Sequence, residues 1–148
     1  ENADEPYAAE ISRAVVAAIR KGVEITTTTQ LQQIIKDALN FIPKNDRDYE
    51  IKKSCQRCFQ ALRIDVNNEY EVLYEFLEKL PAALAPGGRV AILTFHSGED
   101  RLVKKSFQHF YREGLYADIS KNPIRPSAEE CNRNPRARSA KLRWAIKA

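Results

Sequence analysis

The stretch Gly87-Gly88-Arg89-Val90-Ala91-Ile92-Leu93-Thr94-Phe95-His96-Ser97-Gly98-Glu99-Asp100-Arg101 decides the fold class of this chain. Its glycine pair tolerates positive φ and predicts a tight turn before an almost unbroken apolar run. Such a run is typical of a strand covered on both faces in a parallel sheet. Polar residues follow only where the strand would end, and loops at the carboxyl ends of strands bind ligands in open α/β sheets. The stretch therefore predicts the edge of an active site. Its candidate residues are His96, Ser97, Glu99 and Asp100.

The composition is that of an ordinary globular domain. The 148 residues are 43% hydrophobic and 30% charged, which is enough for one compact core. No apolar run approaches the roughly 20 residues that cross a bilayer, and the acidic first residues do not resemble a secretory signal. The three cysteines argue against a disulfide framework. We expect a cytoplasmic protein that does not associate with membranes.

The basic residues are concentrated at the carboxyl end. Eight basic and two acidic side chains lie between Lys121 and Ala148, although the whole chain has a net charge of only +4. A basic segment of this kind suits a polyanion such as RNA, and a solvated surface is the alternative.

The order of predicted elements is uneven. Helical periodicity indicates helices from about Ala8 to Lys21, from Thr28 to Leu39 and from Ser54 to Val66, whereas the polar segment 44–53 predicts an exposed connection. A further helix precedes the strand at 89–95, and a helix at 98–110 and strands at 115–120 and 140–146 follow it. A doubly wound sheet normally opens with a strand and a glycine-rich turn, and neither is present here. The chain therefore reads as the later half of an α/β domain, preceded by helices.

Three blocks, in order, resemble one family. Phe59-Gln60-Ala61-Leu62-Arg63-Ile64 with Val66-Asn67-Asn68-Glu69 is similar to its FQALRI and VN-E block. Pro86-Gly87-Gly88-Arg89 with Phe95-His96-Ser97 and Glu99-Asp100-Arg101 is similar to its PGGR and FHS-EDR block. Residues 134–143, NPRARSAKLR, resemble its carboxyl-terminal signature. The family is the MraW or RsmH type of bacterial methyltransferase, which methylates the N4 amine of a cytosine in small-subunit ribosomal RNA. Gly98 departs from the pattern, since the family usually has leucine there.

The resemblance implies a helix-rich α/β fold: the later half of a Rossmann-like class I methyltransferase sheet, preceded by a helical insertion. It places part of a helical substrate-recognition insertion at residues 1–53 and the carboxyl-terminal part of the methyltransferase domain at 54–148. It also implies S-adenosylmethionine as cofactor, bound outside this chain, and small-subunit ribosomal RNA as partner. The piece alone would then be inactive. A non-catalytic RNA-binding or assembly module is the alternative.

Each candidate residue has a functional and a structural interpretation. His96, Ser97, Glu99 and Asp100 would support catalysis by orienting the target amine, or would cap the following helix. Gln60 and Arg63 share a helix face and would contact RNA, or would form a seam within the protein. Arg136 and Arg138 would hold an RNA backbone, or would pair with Glu99 or Asp100 inside the fold. The full set of predicted RNA-binding residues is Gln60, Arg63, Arg101, Arg136, Arg138, Ser139 and Lys141.

Two further expectations follow from the sequence. Cys55 and Cys58 have the spacing of half a zinc site, but no second pair exists, so we expect two small apolar residues on a helix and no metal. The missing early strands would leave a sheet edge unpaired, which predicts a possible homodimer through that edge.

Overall fold

The computed structural model describes residues 4–148, which form two compact units that divide between Asn67 and Asn68. The first unit contains three helices, α1 (Ala8–Arg20), α2 (Thr28–Ala38) and α3 (Lys44–Val66). Helix α2 begins with a reciprocal cap, because the Thr27 side chain accepts from the Gln30 backbone N–H and the Gln30 side chain accepts from the Thr27 backbone N–H. The core of this unit consists of Ile11, Ile35, Leu39, Ile42, Ile51 and Cys55.

The prediction that residues 44–53 form an exposed connection is wrong, because this segment is the first part of α3. Its charged residues form the solvated side of the helix, while Ile51 is buried among the apolar residues of α1 and α2. The sequence-based boundary at residue 53 therefore falls within a continuous helix. The substrate-recognition role given to residues 1–53 stays a prediction.

The second unit combines helices with a small sheet. In chain order it contains α4 (Glu69–Ala83), β1 (Arg89–Thr94), α5 (Ser97–Arg112), β2 (Tyr116–Ile119), α6 (Ala128–Arg133), a 3-10 helix (Pro135–Ser139) and β3 (Lys141–Lys147). The helix-rich α/β class is confirmed. The turn before β1 also follows the prediction, since Gly87 has a φ of 74°.

The sheet has the strand order β1-β3-β2, and both neighbours of β3 are antiparallel to it. Strands β1 and β2 consequently run in the same direction, joined through α5. The register pairs Arg89 with Ile146 at one end of β1 and Thr94 with Lys141 at the other. Among residues 4–148, β1 pairs only with β3 and is therefore an edge strand.

One face of the sheet is covered. Leu77 and Leu80 of α4, Val103 and Phe107 of α5, and Ala145 of β3 form a buried cluster with Val90 and Ile92 packed against it. The alternate residues Arg89, Ala91 and Leu93 are exposed. The expectation of a parallel strand buried on both faces is therefore wrong for the described residues, because helices pack on only one side of β1.

An open groove lies along β1 and β3 and is lined by Arg89, Val90, Ala91, Trp144, Ala145 and Ile146. Within residues 4–148, no helix has both the length and the apolar character needed to span a membrane.

Candidate functional site

The polar cluster after β1 folds into a reciprocal cap at the start of α5. His96 is the N-cap residue, and its Nδ1 accepts a hydrogen bond from the Glu99 backbone N–H at 3.4 Å. In return, Glu99 Oε2 accepts from the Phe95 backbone N–H at 3.2 Å. The cap satisfies backbone donors and places a carboxylate at the positive end of the helix. His96 and Glu99 therefore cap α5, as the structural interpretation of this cluster predicted.

The remaining atoms of the two side chains face each other. His96 Nε2 lies 3.2 Å from Glu99 Oε1, and the two side chains are 16% and 25% exposed. Glu69, in the first turn of α4, brings a second carboxylate, so that one oxygen of each glutamate and one nitrogen of His96 all lie within 4.8 Å of one another. The result is a partly buried group of two carboxylates and an imidazole, which we call the Glu69–His96–Glu99 cluster.

The cap determines which chemistry this cluster suits. Because Nδ1 of His96 accepts a hydrogen bond from the Glu99 backbone N–H, Nδ1 carries no proton in this arrangement, and a ring proton would lie on Nε2. A protonated Nε2 is a hydrogen-bond donor and not a metal ligand, so a metal ion would require the cap to break. Within the described residues His96 Nε2 is buried without a hydrogen-bond partner, so the groups that the cluster offers to a ligand are carboxylate oxygens, which suit a ligand that carries an amine.

Asp100 belongs to a different set of contacts. Its carboxylate accepts from Arg143 at 2.7 Å and 3.3 Å and from Lys141 at 3.3 Å. Burial, the largest single influence, would raise the pKa of Asp100, but the hydrogen bonds and charges of Arg143 and Lys141 together outweigh it and hold this pKa below its ordinary value. Asp100 is therefore an ionised structural residue that joins α5 to β3.

As one alternative, Arg136 and Arg138 were predicted to pair with Glu99 or Asp100 within the fold. For Asp100 this prediction is wrong. That carboxylate pairs with Arg143, whose position opposite Ile92 in the β1–β3 register turns it toward the helix-covered face. Arg136, Arg138 and Ser139, on the 3-10 helix, are exposed, and no ion pair within the described chain involves either arginine. Arg143 was not among the predicted site residues, although the alternation of apolar and polar residues in its strand could have indicated it.

The structure brings most candidates of the second unit to one end of its sheet. Because Thr94 pairs with Lys141, the end of β1 and the start of β3 are adjacent, and Thr94 Oγ1 donates to the Lys141 carbonyl at 3.3 Å. The cap of α5 continues from one strand, and the 3-10 helix leads into the other. Ser97 and Arg101 are exposed in the first turns of α5.

The other two candidates lie in the first unit. Gln60 is half-buried and Arg63 is exposed, three residues apart on α3, as the sequence predicts. On the same helix, Cys55 and Cys58 pack against the core, and burial raises the pKa of both thiols, that of Cys58 to about 11. Both are therefore protonated at neutral pH.

Two residues at the cluster were not among the predicted site residues. Glu69 was quoted only within the VN-E block, and Tyr70 places the edge of its ring against His96, with ring centroids 5.9 Å apart. The sequence feature that could have indicated these two residues is Asn68. It adopts a left-handed φ of 49° immediately before α4 and so fixes where the first turn of that helix begins.

Comparisons with known proteins agree with the sequence blocks over the whole chain. The model of the MraW methylase family matches residues 1–148. The chain belongs to the MraW methylase family. It is 78% identical over all 148 residues to ribosomal RNA small subunit methyltransferase H 2 of Alkaliphilus metalliredigens, and 69% identical to ribosomal RNA small subunit methyltransferase H 1 of Lachnoclostridium phytofermentans. The chain spans 42% and 40% of the length of these two curated relatives.

Methylases use a methyl donor, and the described residues do not form a site for S-adenosylmethionine at the two places where one could be expected. A nucleotide-type site needs free backbone N–H groups at a glycine turn and a carboxylate for the ribose. The turn before β1 has no such donors, because Gly87 N–H donates to the Lys147 carbonyl and Gly88 N–H to the Ala85 carbonyl, at 3.1 Å and 2.8 Å. The groove along β1 and β3 has no carboxylate in its lining. Neither feature fits this cofactor.

Proposed function

We propose that this MraW-family chain serves an S-adenosylmethionine-dependent methyltransferase that modifies the N4 amine of a cytosine in small-subunit ribosomal RNA. The observation that carries the proposal is the match of the whole chain to the family, with relatives named for methylation of this RNA. The chain itself contributes one wall of the site and a basic surface, and is inactive alone. S-adenosylmethionine would supply the methyl group from a site formed by other residues.

The contribution of the Glu69–His96–Glu99 cluster follows from its donor and acceptor atoms. The exocyclic amine of cytosine donates hydrogen bonds, while the neighbouring ring nitrogen N3 accepts one. A carboxylate oxygen of Glu99 would accept from the amine, while His96, whose buried Nε2 lies 3.2 Å from Glu99 Oε1, would hold that carboxylate in place. Holding the amine in this way fixes the direction of its nitrogen lone pair, which a methyl transfer requires. Asp100 supports this wall by joining α5 to β3.

The basic surface would hold the RNA backbone. Arg136 and Arg138 are exposed and have no acidic partner within the described residues, and Arg101 and Ser139 are exposed near the same end of the sheet. Guanidinium groups bind phosphate with a planar fork of donors, so these side chains suit backbone contacts that position the substrate. Lys141 is engaged with Asp100 and would act mainly within the protein.

A chimera tests the proposed function. This chain would replace the matching 42% of the Alkaliphilus metalliredigens relative, and the chimera and the chain alone would be given S-adenosylmethionine labelled in the methyl group and unmodified small ribosomal subunits. We expect label on a cytosine N4, located by mass spectrometry of nuclease fragments, with the chimera only. A folded chimera that transfers no methyl group to cytosine would overturn the reaction, and transfer by the chain alone would overturn its inactivity.

The alternative, a non-catalytic RNA-binding module, predicts a different result in the same experiment. A chimera that binds the small subunit tightly but transfers no methyl group would favour it. The exposed arginines of the 3-10 helix are the observation behind this alternative, since they bind RNA in either case.

A further inference from the structure

Gly98 lies in the first turn of α5 without a backbone reason to be glycine. Its φ is outside the left-handed region, so any residue could adopt the same conformation. Glycine in a helix interior is less favourable than alanine. Another requirement therefore accounts for the missing side chain at this position.

The requirement is space for Tyr70. A Cβ atom at residue 98 would overlap the Tyr70 hydroxyl oxygen and would lie only 2.8 Å from Cζ of the same ring. Contacts below 3.0 Å are essentially never found for real Cβ atoms, so a side chain at 98 would require the end of the Tyr70 side chain to move from its present place. Tyr70 thus reaches from the first turn of α4 onto the first turn of α5.

The same ring also contacts His96. Tyr70 and His96 meet edge to face at 65°, and the imidazole has little freedom because its Nδ1 is held by the Glu99 backbone N–H. Contact with the ring on one side and the cap on the other keeps Nε2 beside Glu99 Oε1, at 3.2 Å. Removal of the ring would let the imidazole rotate and weaken both the cap and the Nε2 contact.

We propose that Tyr70 is a positioning residue that acts through His96, and that Gly98 is the gap that admits it. The pair fixes the donor and acceptor geometry of the Glu69–His96–Glu99 cluster. The structural part of this inference stands on the described contacts alone, and its catalytic consequence rests on the proposed function.

A double-mutant cycle in this chain tests the structural part. The variants are Gly98→Ala, Tyr70→Leu and the two together, and the readout is the pair of imidazole ¹⁵N shifts of His96, which report the position of its proton. We expect each single change to shift these signals away from those of the parent chain. Adding Gly98→Ala to Tyr70→Leu should have no further effect, because the space is already empty.

Two controls separate positioning from a general loss of structure. Tyr70→Phe keeps the ring edge and should retain the parent signals of His96. Tyr74→Leu makes the same substitution one turn later on α4, at a residue that is exposed, and should change nothing. Unchanged His96 signals in Tyr70→Leu, or additive effects of the two changes, would overturn the proposal. Should Gly98→Ala fail to fold, the Tyr70→Leu and Tyr70→Phe comparison alone decides it.

Steady-state kinetics of the chimera test the catalytic consequence. We expect Tyr70→Leu to lower kcat by about ten- to a hundredfold through misalignment, with KM for the RNA changed less than about twofold. An unchanged kcat would contradict the catalytic part. A parent chimera without methyl transfer, combined with a non-additive cycle, would refute the proposed function and leave the positioning of His96 intact.

Discussion

At the residue scale, the contact between Asp100 and Arg143 is a buried ion pair that joins α5 to β3. Arg143 is only 5% exposed and Asp100 8%, so removal of the carboxylate leaves a buried guanidinium without its anion. Such a loss costs about 3–5 kcal/mol. We expect Asp100→Ala to lower the free energy of unfolding by this amount, measured by urea denaturation followed by circular dichroism. Glu129→Ala, which removes an exposed pair with Arg133, should cost less than about 1 kcal/mol.

The same contact makes stability depend on acid. Because the pKa of Asp100 is lower in the folded than in the unfolded state, its stabilisation is fully present above the unfolded pKa of about 4. It is lost as the pH falls through the lower, folded pKa. The difference in unfolding free energy between the parent and Asp100→Asn should therefore shrink as the pH falls below 4. A difference that stays constant from pH 7 to pH 2 would contradict the depressed pKa.

The sequence could not have predicted this pairing. Asp100 and Arg143 are 43 residues apart, and whether they meet depends on the register of β1 against β3. A shift of that register by one residue would turn Arg143 to the opposite face. By contrast, the cap formed by His96 and Glu99 is local, so the position of polar residues immediately after an apolar strand was sufficient to predict it.

At the scale of elements, periodicity predicted the helices and strands wherever apolar residues dominate one face. The prediction failed for segment 44–53 because its one buried apolar residue, Ile51, is outnumbered by charged residues that belong to a solvated helix face. The 3-10 helix before β3 could not be predicted from a period, since it is short and depends on Asn134, whose side chain accepts from the Arg136 backbone N–H.

The 3-10 helix carries a prediction of its own. If Arg136 and Arg138 contact phosphate, each change to alanine should weaken RNA binding and reduce the slope of log affinity against log salt concentration by about 1. Fluorescence anisotropy with a labelled RNA oligonucleotide at several KCl concentrations measures both quantities.

The matched control is Arg133→Ala, one helix earlier, because Arg133 already pairs with Glu129 at 2.9 Å. It should change the slope much less. Equal slopes for the parent and for Arg136→Ala and Arg138→Ala would show that these arginines do not contact the backbone of the RNA.

At the scale of the whole molecule, both edge strands of the sheet in the second unit, β1 and β2, lack a second neighbour within residues 4–148, and one face of the sheet is uncovered. Along β1, Leu93 within the strand and Phe95 immediately after it are 53% and 52% exposed. An unpaired edge that also carries apolar side chains favours pairing with another strand. We therefore expect the isolated chain to form a homodimer in which two β1 strands pair. This agrees with the sequence-based expectation of a homodimer through an unpaired sheet edge.

Sedimentation velocity at several concentrations tests the dimer. A lysine on an edge strand opposes pairing, so Leu93→Lys should weaken dimerisation at least tenfold, which corresponds to about 1.4 kcal/mol. Val72→Lys introduces the same charge at an exposed valine of α4, away from the edge, and should leave the association unchanged. If the parent chain is a monomer at all concentrations, or if both lysine variants dissociate equally, the contact does not run through β1.

Because β1 leads directly into the His96 cap, pairing at this edge would also restrict approach to the Glu69–His96–Glu99 cluster. Leu93→Lys would then increase RNA binding by the chain.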